Sequence, residues 1–117
     1  PQGTYAVESL PQVRRNVRLV QGIFDDTLGP FLQEQSGWAR FLHIDCDLYS
    51  STKTVLEAFA ERIRPGTVMV FDEFFNYPGW QEEEYKALVE FTAKRELTFE
   101  YLGYCRYSEQ VALKITE

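Results

Sequence analysis

At 117 residues with a formal net charge of −6, the chain is long enough for one modest core and too acidic for a nucleic-acid partner, whose phosphates demand a basic stripe. Its composition, 44% hydrophobic and 26% charged, is that of an ordinary globular domain, and no apolar run approaches the roughly 18 residues that cross a bilayer, so a membrane partner is not expected either. Two cysteines, Cys46 and Cys105, are too few for a disulfide framework, and a reduced, cytoplasmic setting is expected.

Residues 1–8 read as irregular. Ser9 and Pro11 mark a helix start, Ser9 as cap and Pro11 in the first turn, with the helix ending near Asn16. Val17 to Val20 (VRLV) reads as a strand closed by Gln21-Gly22. FDDTLGP, residues 24–30, has loop chemistry, and Pro30 opens a short helix to about Gln35 that Ser36-Gly37 ends. ARFLHID supplies Phe41, Leu42 and Ile44 for a short strand. Ser50 or Ser51 then caps a helix whose apolar stripe runs Val55, Leu56, Phe59, Ile63 until Pro65-Gly66 stops it. Thr67 to Phe71 is near-continuously apolar, as expected of a strand covered on both faces. After the Tyr77-Pro78-Gly79 turn, residues 80–95 repeat apolar positions at helical period through Tyr85, Leu88, Val89 and Phe91. TFEYLGY and QVALKIT, flanking CRYSE, read as an antiparallel hairpin. Strands separated by helices imply right-handed crossovers. The expected fold class is therefore α/β: a Rossmann-like arrangement of parallel strands with crossover helices and a C-terminal antiparallel hairpin, all in a single domain over 1–117.

HIDCDLYSST (43–52) and MVFDE (69–73) are apolar runs that break abruptly into carboxylates. In an open parallel sheet ligands bind beyond the carboxyl ends of the strands, and Asp45 and Asp47 end one strand while Asp72 and Glu73 end the next. If those strands are neighbours, about 5 Å apart, the acids meet at one spot. Close carboxylates repel unless some take up protons or a cation joins them, and oxygen-only ligation suits Mg²⁺, Mn²⁺ or Ca²⁺ rather than zinc. Equally, Asp47 could cap the following helix and Glu73 could simply face solvent. His43, two residues before Asp45, shares its face on a strand and is either a base or a structural, hydrogen-bonded imidazole. Tyr49, Tyr77 and Trp80 line an acceptor pocket or fill core, with core expected for Trp80.

At these residues a family resemblance emerges. VRLVQGIFDDTL, FLHIDCDLYSSTKTVLEAF and RPGTVMVFDEFFNYPGW resemble the macrocin O-methyltransferases, from about residue 10 to the hairpin. The resemblance implies a class I methyltransferase fold, S-adenosylmethionine and Mg²⁺ (or Mn²⁺) as cofactors, and a small-molecule acceptor with a sugar or natural-product hydroxyl. Asp45 matches the aspartate that ligates the metal and takes the proton from the acceptor. Asp72 and Glu73 match the adjacent acidic pair completing the metal site, with Glu where Asp is common. Gln21 to Phe24 match the loop bordering the adenine ring, making Gly22 and Phe24 the cofactor-contact candidates.

None of the seven glycines forms a GxG pair, so the glycine-rich turn of a nucleoside-binding fold is missing. The resemblance implies a chain that begins just before the third strand and is inactive alone. The strand at 40–45 would then have an open apolar edge, so the 17–21 segment is expected to dock elsewhere or two copies to associate as a homodimer. Two other functions fit the residues: a DxD glycosyltransferase holding a metal and a nucleotide sugar, and a non-catalytic dimerisation fragment.

Overall fold

One four-stranded sheet organises the chain, which a computed structural model describes over residues 9–117. Its strands are β1 (Phe41–Ile44), β2 (Val68–Phe71), β3 (Phe99–Tyr104) and β4 (Val111–Ile115), and its helices are α1 (Phe24–Glu34), α2 (Tyr49–Ala58) and α3 (Glu84–Lys94). The spatial order is β1-β2-β4-β3. β1 and β2 are parallel, joined through α2, and their register places Ile44 beside Phe71. β4 returns antiparallel against β2, and β3 completes the hairpin with a bulge between Tyr101 and Gly103.

Side chains two apart on each strand share a face, and on this sheet one face is sealed. Ile44, Met69, Phe71, Val111, Leu113 and Ile115 are buried there against Val55 and Leu56 of α2 and Ala87, Leu88 and Phe91 of α3. β2 was expected to be covered on both faces. Instead Met69 and Phe71 are buried while Val68 and Val70 are half-buried, because both packed helices contribute to the one core.

The helices start where tertiary contacts allow. α1 begins at Phe24, six residues ahead of the expected start, and carries Pro30 inside it. Asp25 and Asp26 fall in its first turn, where negative charge favours the positive end of the helix. α2 begins at Tyr49 without a serine cap; its Tyr49 N–H instead donates to Glu83 Oε2 at 2.9 Å. Short 3₁₀ turns at Ala60–Arg62 and Trp80–Glu82 stand in the expected helices that α2 and α3 otherwise match.

Before α1 the expectations fail. Residues 9–16 form no helix, and 17–20 form no strand. A turn joins Val17 N–H to Arg14 C=O at 2.9 Å, while Arg18 pairs with Glu34 at 2.6 Å and lies over the Phe31 ring. VRLV has β-forming side chains, but a strand needs a partner for its N–H and C=O groups, and no other strand among the described residues reaches it. β1 is left as an edge among the described residues, with Phe41 59% exposed.

Gly66 shapes the entry to β2. Its φ of +104° lies in the region that side chains rarely adopt, and a Cβ there would sit 3.4 Å from the Trp38 ring. Gly66→Ala is therefore expected to lower stability by about 1–3 kcal/mol in urea denaturation.

Candidate functional site

The parallel register that sets Ile44 beside Phe71 puts the next residues, Asp45 and Asp72, at adjoining strand ends. Asp72 N–H donates to Ile44 C=O at 3.0 Å, extending the ladder by one step. The Asp72 carboxylate is thereby close enough to Asp45 for its charge to act on it. Desolvation first, then the charges of Asp72 and Asp47, hold the Asp45 carboxyl above its ordinary range, and His43 opposes them weakly. Gln110, the residue before β4, donates from Nε2 to Asp72 Oδ1 at 3.3 Å and so holds that carboxylate. His43 itself is exposed on β1.

The other two acids form a second pair. Asp47 has a φ of 68°, a left-handed conformation that turns the chain after β1. Its carboxylate lies near Glu73, whose pKa is pushed up to about 7 by burial, then by the charges of Asp47, Glu109 and Glu84. Of the three expected metal ligands, Asp45 and Asp72 stand at adjoining strand ends, and Glu73, one residue after Asp72, lies near Asp47. Among the described residues no three His, Cys, Asp or Glu side chains are grouped closely enough to hold an ion.

Beneath both pairs lies Glu84, which sequence reasoning passed over. It is fully buried. Its Oε1 accepts the Glu73 N–H at 3.0 Å and its Oε2 the Asp47 N–H at 3.2 Å. A glutamate opening a helix looks like dipole compensation in sequence, and nothing local signals that it reaches two distant loops.

Cys46, between the two aspartates, has its thiol pushed up to about 11 by burial and by Glu84. Only a thiolate attacks disulfide reagents readily. Titration with such a reagent at pH 8 is expected to modify exposed Cys105 quickly and Cys46 slowly, with Cys46 accelerating only as the pH approaches 11.

The aromatic candidates separate. Tyr77 is tied down by its hydroxyl, which donates to Glu73 C=O at 3.1 Å, and Tyr49 donates its hydroxyl to Glu90. Trp80, expected in the core, is half-buried and packs edge-on to Tyr85 at 4.9 Å, on the wall of an apolar recess of about 230 Å³ that Phe74, Phe75 and Tyr104 share. Gly22 and Phe24, the cofactor-contact candidates, line an open depression of about 370 Å³ with Asp25, Ser50, Ser51 and Thr54. Gly22 has a φ of +136°, and a Cβ there would meet Thr27 Cγ2 at 2.7 Å, so only glycine fits.

Comparison with known proteins places this geometry. A family described as "Methyltransferase domain" matches residues 2–74, more than half of the chain. Among solved structures, the apo form of CalS11, a TDP-rhamnose 3'-O-methyltransferase of calicheamicin biosynthesis, is 27% identical, with a TM-score of 0.63 over 81% of this chain and 40% of its own. The O-methyltransferase NovP is 25% identical, with a TM-score of 0.69 over 90% of this chain and 40% of its own. No curated protein matches the chain. The sequence spans about 40% of the length of these two structures. Its mixed sheet, with two parallel strands and an inserted hairpin, is the corresponding part of their α/β fold. On the family match and this shared architecture, the chain belongs to the methyltransferase-domain family.

Proposed function

We propose that the protein is an S-adenosylmethionine-dependent O-methyltransferase whose acceptor is a sugar hydroxyl, with Asp45 as the base. The observation that supports this most directly is the Asp45–Asp72 pair, set by register at the carboxyl ends of parallel neighbours where such sheets bind ligands. CalS11 and NovP, the similar structures, are O-methyltransferases, and CalS11 acts on a TDP-sugar.

The depression beside α1 suits an edge of the methyl donor: Ser50, Ser51 and Thr54 of α2 line it together with Gly22 and Phe24. Bound there, S-adenosylmethionine supplies a methyl group on a sulfonium, an electrophile that an alcohol oxygen can attack. Asp45 is exposed at the strand end and free to take the hydroxyl proton as the oxygen gains the methyl. Gln110 holds the neighbouring Asp72 carboxylate in place.

The reading includes a divalent cation, Mg²⁺ or Mn²⁺. Two carboxylates at adjoining strand ends, offering oxygen alone, are a donor set such an ion fits, and Asp45 and Asp72 would hold it. When bound, the ion lowers the pKa of the acceptor hydroxyl. The DxD glycosyltransferase alternative would put the ion on Asp45 and Asp47; the methyltransferase-domain match and the two similar O-methyltransferase structures favour methyl transfer instead.

The test is transfer of labelled methyl from S-adenosylmethionine to a panel of nucleotide-activated deoxysugars, with and without a chelator. Label on a sugar hydroxyl supports the reading, and loss of transfer on chelation, restored by Mg²⁺, supports its metal part. Absence of transfer to every hydroxylated acceptor by the full-length protein overturns it.

A further inference from the structure

Five carboxylates gather where β1 and β2 end, in a chain that is already acidic, and one of them is of a different kind. Asp45, Asp47, Asp72 and Glu73 lie exposed or half-buried at the tips, while Glu84 is wholly buried and comes from another layer, the first turn of α3. Its two oxygens are divided between the tips: one takes the amide of Glu73, after β2, and the other the amide of Asp47, after β1. An ionised carboxylate is the form that accepts at both oxygens, and burial makes each such bond stronger and its loss costlier. Next to it, Glu83 accepts the Tyr49 amide and so holds the start of α2.

We propose that Glu84 is a positioning residue: it sets the relative placement of the two acidic strand ends, and through it the Asp45–Asp72 and Asp47–Glu73 pairs. Asp47 shows the need for it. Its left-handed backbone is one that aspartate tolerates only when the surroundings hold it, and the Glu84 bond is made at that residue's own amide. Packing alone does not explain the side chain, since a leucine of similar size would fill the space and leave both amides unpaired. The consequence for catalysis rests on the functional reading above; the mechanical claim does not.

Residue-resolved amide exchange on the full-length protein tests it. In the wild type, the Asp47 and Glu73 amides are expected to exchange slowly although Asp47 is exposed; exchange at unprotected rates overturns the proposal. In Glu84→Gln, which keeps the volume but sets an NH₂ against one of the amides, at least one of the two is expected to exchange about tenfold faster, while the β4 amides stay unchanged. Acceleration of β4 to the same degree would mean a merely structural role and overturn it. Should the Gln variant not fold, Glu84→Asp, which keeps both acceptors on a shorter arm, is expected to loosen the same two amides selectively. In a wild-type protein active in methyl transfer, Glu84→Gln is further expected to lower kcat about tenfold with little change in KM. Unchanged kcat with loosened amides removes the catalytic consequence. A wild type with no transfer activity but protected amides defeats the functional reading and leaves the clamp standing.

Discussion

Asp45→Asn is expected to lower kcat for methyl transfer by about 10²–10⁴-fold, the range contributed by a positioned general base. The substitution keeps the shape of the side chain and one hydrogen-bonding oxygen, so the strand end holds its conformation. What it removes is acceptance of the acceptor's proton and, on the metal part of the reading, one of the two negative charges that would hold the cation. It also removes one of two carboxyls that crowd each other, so thermal stability is expected to hold or rise. A steady-state assay beside a melting curve separates the two effects. Glu61→Gln, on an exposed glutamate paired with Arg95, serves as the matched charge control and should leave kcat unchanged. Wild-type kcat in the Asp45 variant would remove that residue from the chemistry.

Phe71→Ala is expected to cost about 3–5 kcal/mol of folding stability, a large share of the roughly 5–15 kcal/mol typical of a domain. Phe71 ends β2 with no exposed surface, aligned with Ile44 on one side and Val111 on the other, and its ring lies 5.3 Å from that of Phe74. Truncation leaves a cavity in the middle of the one sealed face, where helices and strands all converge and cannot collapse inward cheaply. Because Asp72 is the next residue, a proportionate loss of ordering at the acidic end should accompany it. Chemical denaturation monitors the first effect. A loss under about 1 kcal/mol would place the core elsewhere.

Much of the fold was legible before any coordinates. Val55, Leu56 and Phe59 recur at helical spacing, Thr67 to Phe71 is an apolar run of strand length although only one of its faces is sealed, and the hairpin announces itself by two β-rich runs around a polar connection. Such periodicity reports which side of an element is apolar, and one apolar side must be buried. The acidic ends of β1 and β2 were also visible, since charges that interrupt apolar runs need a reason. The family resemblance agrees with the match to a methyltransferase domain, though the narrower macrocin group does not follow from it.

What failed was the stretch before β1, and for one cause. VRLV has strand-forming residues and FDDTLGP has turn-forming ones, yet the first is unpaired and the second is helical. A strand is stabilised by a neighbour, which propensity does not encode, and a proline inside a helix is tolerated where packing compensates.

The order of residues alone thus determined which segments are helix or strand through most of the chain, and that acids stand at two strand ends. Only the tertiary structure decided how those acids divide, because pairing depends on register between strands and on backbone turns such as that at Asp47. It alone revealed Glu84, whose partners lie 11 and 37 residues away, a distance over which local pattern carries no information about contact.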